Sequence, residues 1–228
     1  MENREPSRLK AWSYSTLNGF ETCPRRFYLT KVSKEVAEPP FEAKSFGVTA
    51  HAALEHRIRD NTPLPKPLEW VEPMINKILD RPYRELLIEE KVALDRQLQR
   101  TAFFADNCWI RGVLDFALIS NDKMLILDWK TGKYKPDLDQ LKLFALFGFH
   151  LYPQVERVHA GLVFLKDKKV DKVLYVRDDT PALWKEFNTR VERLNQAHEL
   201  NIFPAKPSGL CKAWCPCHQC IHHGKYKK

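Results

Sequence analysis

Apolar residues recur at helical spacing near both ends of the chain and in short strand-like blocks through its middle. Residues 14–32 read as a helix with Ser13 or Ser15 as its N-cap and Leu17, Phe20 and Phe27 as its apolar stripe. Pro39-Pro40 closes that region, and a second helix over 46–60 sets His51, Leu54 and Ile58 on one face. A Pro-rich connector, 62–67, leads to a shorter helix over 70–79. Strand patterns then occupy 86–94, 109–119 and 124–128, with Asn121-Asp122 as a hairpin turn between the last two. A helix over 137–149, an antiparallel pair over 158–165 and 170–176, and an amphipathic helix over 181–200 complete the order. Helices, three strands, a helix, two strands and a helix predict an α/β fold, a mixed sheet flanked by helices.

Two of these strands, GVLDFALI (112–119) and MLILDWKTGK (124–133), carry charge inside apolar runs. Buried charge costs several kcal/mol per ion unless it is paired or bound to a cation. A divalent cation on Asp115 and Asp128, with Lys130 alongside, would offset that cost. Strand alternation puts Asp128 and Lys130 on one face and turns Trp129 away. Two hard oxygen ligands, a metal-activated water and an ammonium are what phosphodiester hydrolysis requires. On its own the D-x-K pattern equally describes a solvated strand end.

Composition narrows the setting. An apolar fraction of 44% over 228 residues predicts one domain with a sizeable core. A net charge of +8 fits an anionic partner such as nucleic acid as well as it fits a generically basic protein. No apolar run is long enough for a membrane span, and the first ten residues have no apolar signal core, so the expectation is a cytoplasmic protein with no membrane partner. Six cysteines without a secretion signal point to metal or cluster ligation instead of disulfides. Four of them, Cys211, Cys215, Cys217 and Cys220, crowd near the C-terminus and by themselves favour zinc, although Cys215-Pro216-Cys217 is a tight spacing for two ligands of one ion.

The order G-x-x-x-H-A-x-x-E (Gly47 to Glu55), G-x-x-D-F (Gly112 to Phe116), D-W-K-T-G-K (Asp128 to Lys133) and Q-L (Gln140-Leu141) resembles the PD-(D/E)XK nuclease superfamily. The likeness is to the Cas4/RecB-AddB-like branch, which includes small phage-encoded exonucleases. It implies a restriction-endonuclease-like fold in which His51, Asp115, Asp128 and the backbone carbonyl of Trp129 hold Mg²⁺ or Mn²⁺. Lys130 would be catalytic, and Gln140 would orient water or DNA. Phe144 stands where the family often has tyrosine, which removes one hydroxyl contact.

The same likeness divides the cysteines differently. Cys23, in a C-P-x-x-F segment, would join Cys211, Cys215 and Cys220 around a 4Fe–4S cluster, with Cys217 as an extra thiol or an alternative ligand and zinc as the alternative metal. The chain would then be a single nuclease domain, 1–228, with 1–34 and 204–228 forming an iron–sulfur clasp. Cys108 is expected in the core, and His218, His222 and His223 in solvent. Arg25, Arg26, Lys31 and Lys225 would contact DNA phosphates, and Phe27, Tyr28, Trp214 and Tyr226 offer ring surfaces, with core packing favoured for Phe27. The implied function is a metal-dependent exonuclease on single-stranded DNA or DNA ends in recombination, repair or replication, with a helicase or recombination partner. The alternative is a DNA-binding or adaptor protein on the same fold without catalysis.

Overall fold

A computed structural model describes Leu9 and residues 11–38 and 43–224, with only the backbone described for 43–45. The chain forms two compact units, Phe41–Trp184 and the paired ends Met1–Pro40 with Lys185–Lys228.

The central unit holds a mixed sheet in the order β1-β2-β3-β4-β5, formed by β1 (Glu85–Leu94), β2 (Ile110–Ser120), β3 (Lys123–Lys130), β4 (Arg157–Phe164) and β5 (Lys169–Val176). All neighbours are antiparallel except β3 and β4, which run parallel. Parallel strands need a crossover, and α5 (Leu138–Leu151) supplies it. That helix is apolar nearly all round, with Leu141 and residues 143–149 all buried, as a helix inside a core must be.

Alternation along β3 sorts the two faces. Leu127 and Trp129 join Phe116, Leu118 and Val163 in a core with Leu54 and Ile58 of α3 (Ala43–Asp60) and Ile75 and Ile78 of α4 (Glu72–Leu79). Met124 points the other way, against Gly148 of α5, where an added Cβ would come within 2.9 Å of the Met124 sulfur. Asp128 and Lys130 share the parity of Met124 and so face the α5 layer.

The predicted helix over 14–32 is broken. It becomes α1 (Tyr14–Thr22), α2 (Pro24–Phe27) and a π-helical turn, Tyr28–Val32, because Pro24 has no N–H to continue the ladder and Cys23 turns extended. Ser13 is the N-cap, accepting the Thr16 N–H. The predicted helix over 70–79 likewise starts with a 3₁₀ turn, Lys66–Val71. The last helix, α6 (Thr180–Glu199), begins in the central unit and continues into the paired ends. In that second unit Phe20, Phe27, Phe203 and His198 form an edge-to-face aromatic cluster, which buries Phe27. Glu21 and Arg190 make a two-pronged ion pair there.

Candidate active site

The sheet opens at Asp115. Pairing of β2 with β3 runs from Ser120↔Lys123 to Phe116↔Leu127 and stops one step short of Asp115 and Asp128. In place of a ladder bond, the Asp115 Oδ2 accepts the Trp129 N–H at 2.8 Å. On the other side, the register of β1 with β2 sets Glu89 opposite Asp115, and this pair is skipped while both of its neighbours pair. Glu89 sits at φ 51°, a left-handed conformation that a residue with a Cβ rarely adopts. Three carboxylates therefore meet where two adjacent ladders part.

Asp128 is held from both sides. Gln140, in the first turn of α5, donates its amide to Asp128 Oδ1 at 2.9 Å and accepts from Lys130 Nζ at 2.5 Å. Lys130 Nζ lies 2.6 Å from Asp128 Oδ2, an ion pair with a buried carboxylate. The triangle fixes the ammonium beside the carboxylate, with the Lys130 side chain still 29% exposed.

His51 reaches the site from α3. Gly47 lies one turn before it, where an added Cβ would come within 3.2 Å of the Thr131 hydroxyl. The glycine thus lets the turn after β3 approach the helix, and residues four apart share a helix face. His51 Nε2 is 3.0 Å from the Trp129 carbonyl, and Nδ1 is 3.2 Å from Glu89 and 3.7 Å from Asp115. The Trp129 carbonyl only accepts, and with the Glu89 carboxyl group on the other nitrogen this geometry favours the doubly protonated ring. Burial works against that charge, but Asp115 and Glu89 outweigh it and raise the His51 pKa.

Burial, and then the charge of Asp128, push Asp115 up to about 7 against the partial relief of His51. Asp128 is also raised, by burial first, with Lys130 opposing. The site therefore lacks positive charge, and His51 supplies some of it. The donor atoms of His51, Glu89 and Asp115 lie within 4.8 Å of one another, a nitrogen and oxygen set that suits a divalent cation. A cation there would take over the charge that the imidazolium provides, so the residues fit one. Glu89 was not among the residues singled out from the sequence. The available hint was the pair Glu89-Glu90, which interrupts the alternation of LLIEEKVAL.

A model of the PD-(D/E)XK nuclease superfamily matches residues 11–220. The chain belongs to that superfamily. A crystal structure of a protein from Eubacterium rectale, named as a candidate exonuclease, covers 94% of the chain and 92% of its own length, with a TM-score of 0.53 and 8% identity. At that identity it shows the fold alone. The structure of SSO0001 covers 95% of the chain and 88% of its own length, with 13% identity and a TM-score of 0.44. No curated protein sequence matches the chain. Nucleases of this superfamily use divalent metals, and the His51, Glu89 and Asp115 group could bind one. Among the described residues no helix is long and apolar enough to cross a membrane.

The unit made of the chain ends gathers the cysteines. Cys23, Cys211, Cys215, Cys217 and Cys220 all line one small cavity, with Arg25, Arg26 and His222. All are free thiols. The Lys206 N–H lies 3.5 Å from the Cys23 sulfur and the Ser208 N–H 3.4 Å from that of Cys211. Cys217 is the buried member, and burial, with Cys215 beside it, pushes its thiol up to about 12. Gly224 closes the tail, since a Cβ there would collide with the Lys212 carbonyl at 2.5 Å. His223 departs from the expectation of a solvated tail histidine. It is buried, and its Nε2 hydrogen-bonds the Cys215 carbonyl at 2.9 Å. Cys108 is buried, as expected, with its thiol on the Ile110 carbonyl.

Of the basic residues expected on DNA, Lys31 pairs with Glu38 at 2.7 Å and Arg26 lies 3.9 Å from the same carboxylate. Arg25 borders the cysteine cavity, and Lys225 and Tyr226 lie outside the described residues. Tyr28 stacks on Phe203 at 4.9 Å, whereas Trp214 is largely exposed.

Proposed function

We propose that the protein is a metal-dependent DNA nuclease of the Cas4/RecB-like branch, acting as an exonuclease on single strands or duplex ends. The observation that carries this reading is the closed triangle of Asp128, Lys130 and Gln140 beside the His51, Glu89 and Asp115 group. A DNA-binding module has no use for an ammonium held against a buried carboxylate. Mg²⁺ or Mn²⁺ would be held by His51, Asp115, Asp128 and the Trp129 carbonyl, with Glu89 added, and would polarise the phosphate and make a bound water more acidic. His51 must give up a proton to serve as a ligand, so metal uptake is accompanied by proton release. Lys130 faces the charge that develops on the phosphate, and Gln140 holds Lys130 and Asp128 in register.

The cysteine unit fits a 4Fe–4S cluster on Cys23, Cys211, Cys215 and Cys220, which makes the chain ends a clasp on a single nuclease domain. The spacing Cys215-Pro216-Cys217, tight for two ligands of one zinc ion, supports the cluster. Backbone N–H groups also point at two of the sulfurs, and such bonds tune cluster potentials. Cys217, the fifth thiol lining the cavity, is the extra thiol in this partition. A cytoplasmic role in recombination, repair or replication beside a helicase belongs to the same reading through the branch resemblance.

End-labelled linear and circular DNA, single- and double-stranded, incubated with Mn²⁺ provide the test. Degradation of linear but not circular substrate by the wild type, lost in Lys130→Ala and Asp128→Ala, is expected. Equal turnover by all three proteins would sink the catalytic reading, and binding without cleavage by the wild type would favour an adaptor. For the cofactor, a brown protein that loses its visible absorbance in Cys23→Ser and keeps it in Cys217→Ser is expected. Colourless protein with stoichiometric zinc would overturn the cluster.

A further inference from the structure

The loop from Thr101 to Trp109, between β1 and β2, presents Phe103 and Phe104 edge to face, with centroids 5.0 Å apart. Phe104 is 76% exposed. This is an ordered loop and not a loose one. Thr101 donates to Asn107 at 2.7 Å, the Ala105 and Cys108 N–H groups close two turns, and Cys108 anchors the far end in the core. The Arg111 guanidinium donates to the Phe103 carbonyl at 3.3 Å. A single exposed apolar side chain is ordinary, but an exposed ring braced by a half-buried second ring and set beside two cations in a hydrogen-bonded loop is not. The Arg111 guanidinium lies 5.1 and 5.5 Å from the two ring centroids, and Lys91 Nζ lies 5.9 Å from each.

We infer that Phe103 and Phe104 form a stacking site for an unpaired nucleobase, with Arg111 and Lys91 taking the flanking phosphates. Aromatic rings beside basic groups are how proteins hold single strands without reading sequence, because every base has a π-face. A base inside a duplex has both faces covered by its neighbours, so the site selects frayed or single-stranded DNA. Its place on the strands fits that use. Arg111 stands four residues before Asp115 on β2, roughly 13 Å along the strand, and Lys91 stands two after Glu89 on β1. Both cations thus rise from the strands that carry the acidic donors, a few nucleotides' reach from them. The inference rests on the DNA-nuclease reading for the nature of the polymer.

The test uses the full chain in EDTA, so that no cleavage intervenes, with a fluorescent oligodeoxythymidylate and a blunt duplex as probes at fixed salt. Phe104→Ala should weaken single-strand binding by about 5- to 150-fold, the loss of one stacked base. Phe104→Trp should keep it, and duplex affinity should change by less than about twofold. Arg111→Gln should lower the salt slope of single-strand binding by about one ion. The exposure of Phe104 predicts an unchanged unfolding midpoint for Phe104→Ala. Single-strand affinity equal to wild type in Phe104→Ala, equal losses on both probes, or a wild type that binds no oligodeoxythymidylate would each overturn the site. Separately, a wild type that fails to cleave with Mn²⁺ yet binds through Phe104 would sink the nuclease reading and leave this site standing.

Discussion

Asp115→Asn should make the metal-free protein more stable at pH 8 while abolishing metal-dependent stabilisation. Burial and the Asp128 charge raise the Asp115 pKa from 3.8 to about 7. Between those values the folded chain holds a proton that the unfolded chain has released, so stability falls as pH rises through the window and the full loss is felt above pH 7. About three pKa units at about 1.4 kcal/mol each set a ceiling of about 4 kcal/mol. Asparagine is neutral at every pH, and its oxygen can still accept the Trp129 N–H that Asp115 takes at 2.8 Å. A gain of only 2 kcal/mol would raise the melting temperature by roughly 4–8 °C in a chain of this size. Thermal or urea unfolding in EDTA, followed by tryptophan fluorescence, reads this directly, since Trp129 is buried beside the site. The gain should be largest at pH 8 and shrink towards zero near pH 4. Added Mn²⁺ should reverse the order, stabilising the wild type and not the variant. An asparagine variant less stable than wild type at pH 8 in EDTA, or a gain independent of pH, would refute the account of Asp115 as a carboxylate under strain.

The remaining expectations concern other parts of the central unit. Lys130→Ala should lower the Mn²⁺-dependent cleavage rate at least about 100-fold, because the ammonium within 2.6 Å of Asp128 goes; a loss under tenfold in a rate assay would count against its role. Gly148→Ala should cost about 1–3 kcal/mol in urea unfolding, since its Cβ would come within 2.9 Å of the buried Met124 sulfur. Gly132→Ala, with nothing within 4 Å and no positive φ, should stay within about 0.5 kcal/mol, and equal effects of the two would contradict the packing. Arg57→Ala should cost about 2–4 kcal/mol, because losing Arg57, a residue only 8% exposed, leaves Glu72 and Asn76 without their partner. The lower end allows for Glu72, whose side chain is one third exposed.

Legibility from sequence followed the range of the physics. Strand alternation is local, so all five strands were readable to within two residues. The motif order also placed His51, Asp115, Asp128, Lys130 and Gln140 in one site. The helix over 14–32 was overextended because Leu17, Phe20 and Phe27 keep their stripe across the break that Cys23-Pro24 makes. Glu89 was missed for a different reason. Two glutamates in a strand read as a solvated face, and the left-handed φ that lifts Glu89 out of the ladder is imposed by its surroundings. His223 was misread because a tail rich in turns gives no periodicity from which to infer burial. Phe103 and Phe104 carry no signal of their own in the sequence, since two aromatics in a loop signal exposure only once the loop is seen to hold Phe104 out.

The opened sheet ties these errors to the chemistry. A regular ladder would have paired Asp115 with Glu89 on one side and Asp128 on the other, hiding their backbones and leaving three carboxylates to repel one another within a closed surface. Instead the Asp115 side chain takes the Trp129 N–H, and the Trp129 carbonyl is left for His51. The Trp129 N–H and carbonyl are thus satisfied by the site's own side chains, which orients those side chains in turn. Local propensity would have healed the break, and the arrangement persists because packing on both faces holds β1, β2 and β3 in register around it. Hydrogen bonds fix the donors of a site built this way, and the site is short of positive charge. That is the condition under which metal binding is driven by relief of repulsion as much as by coordination.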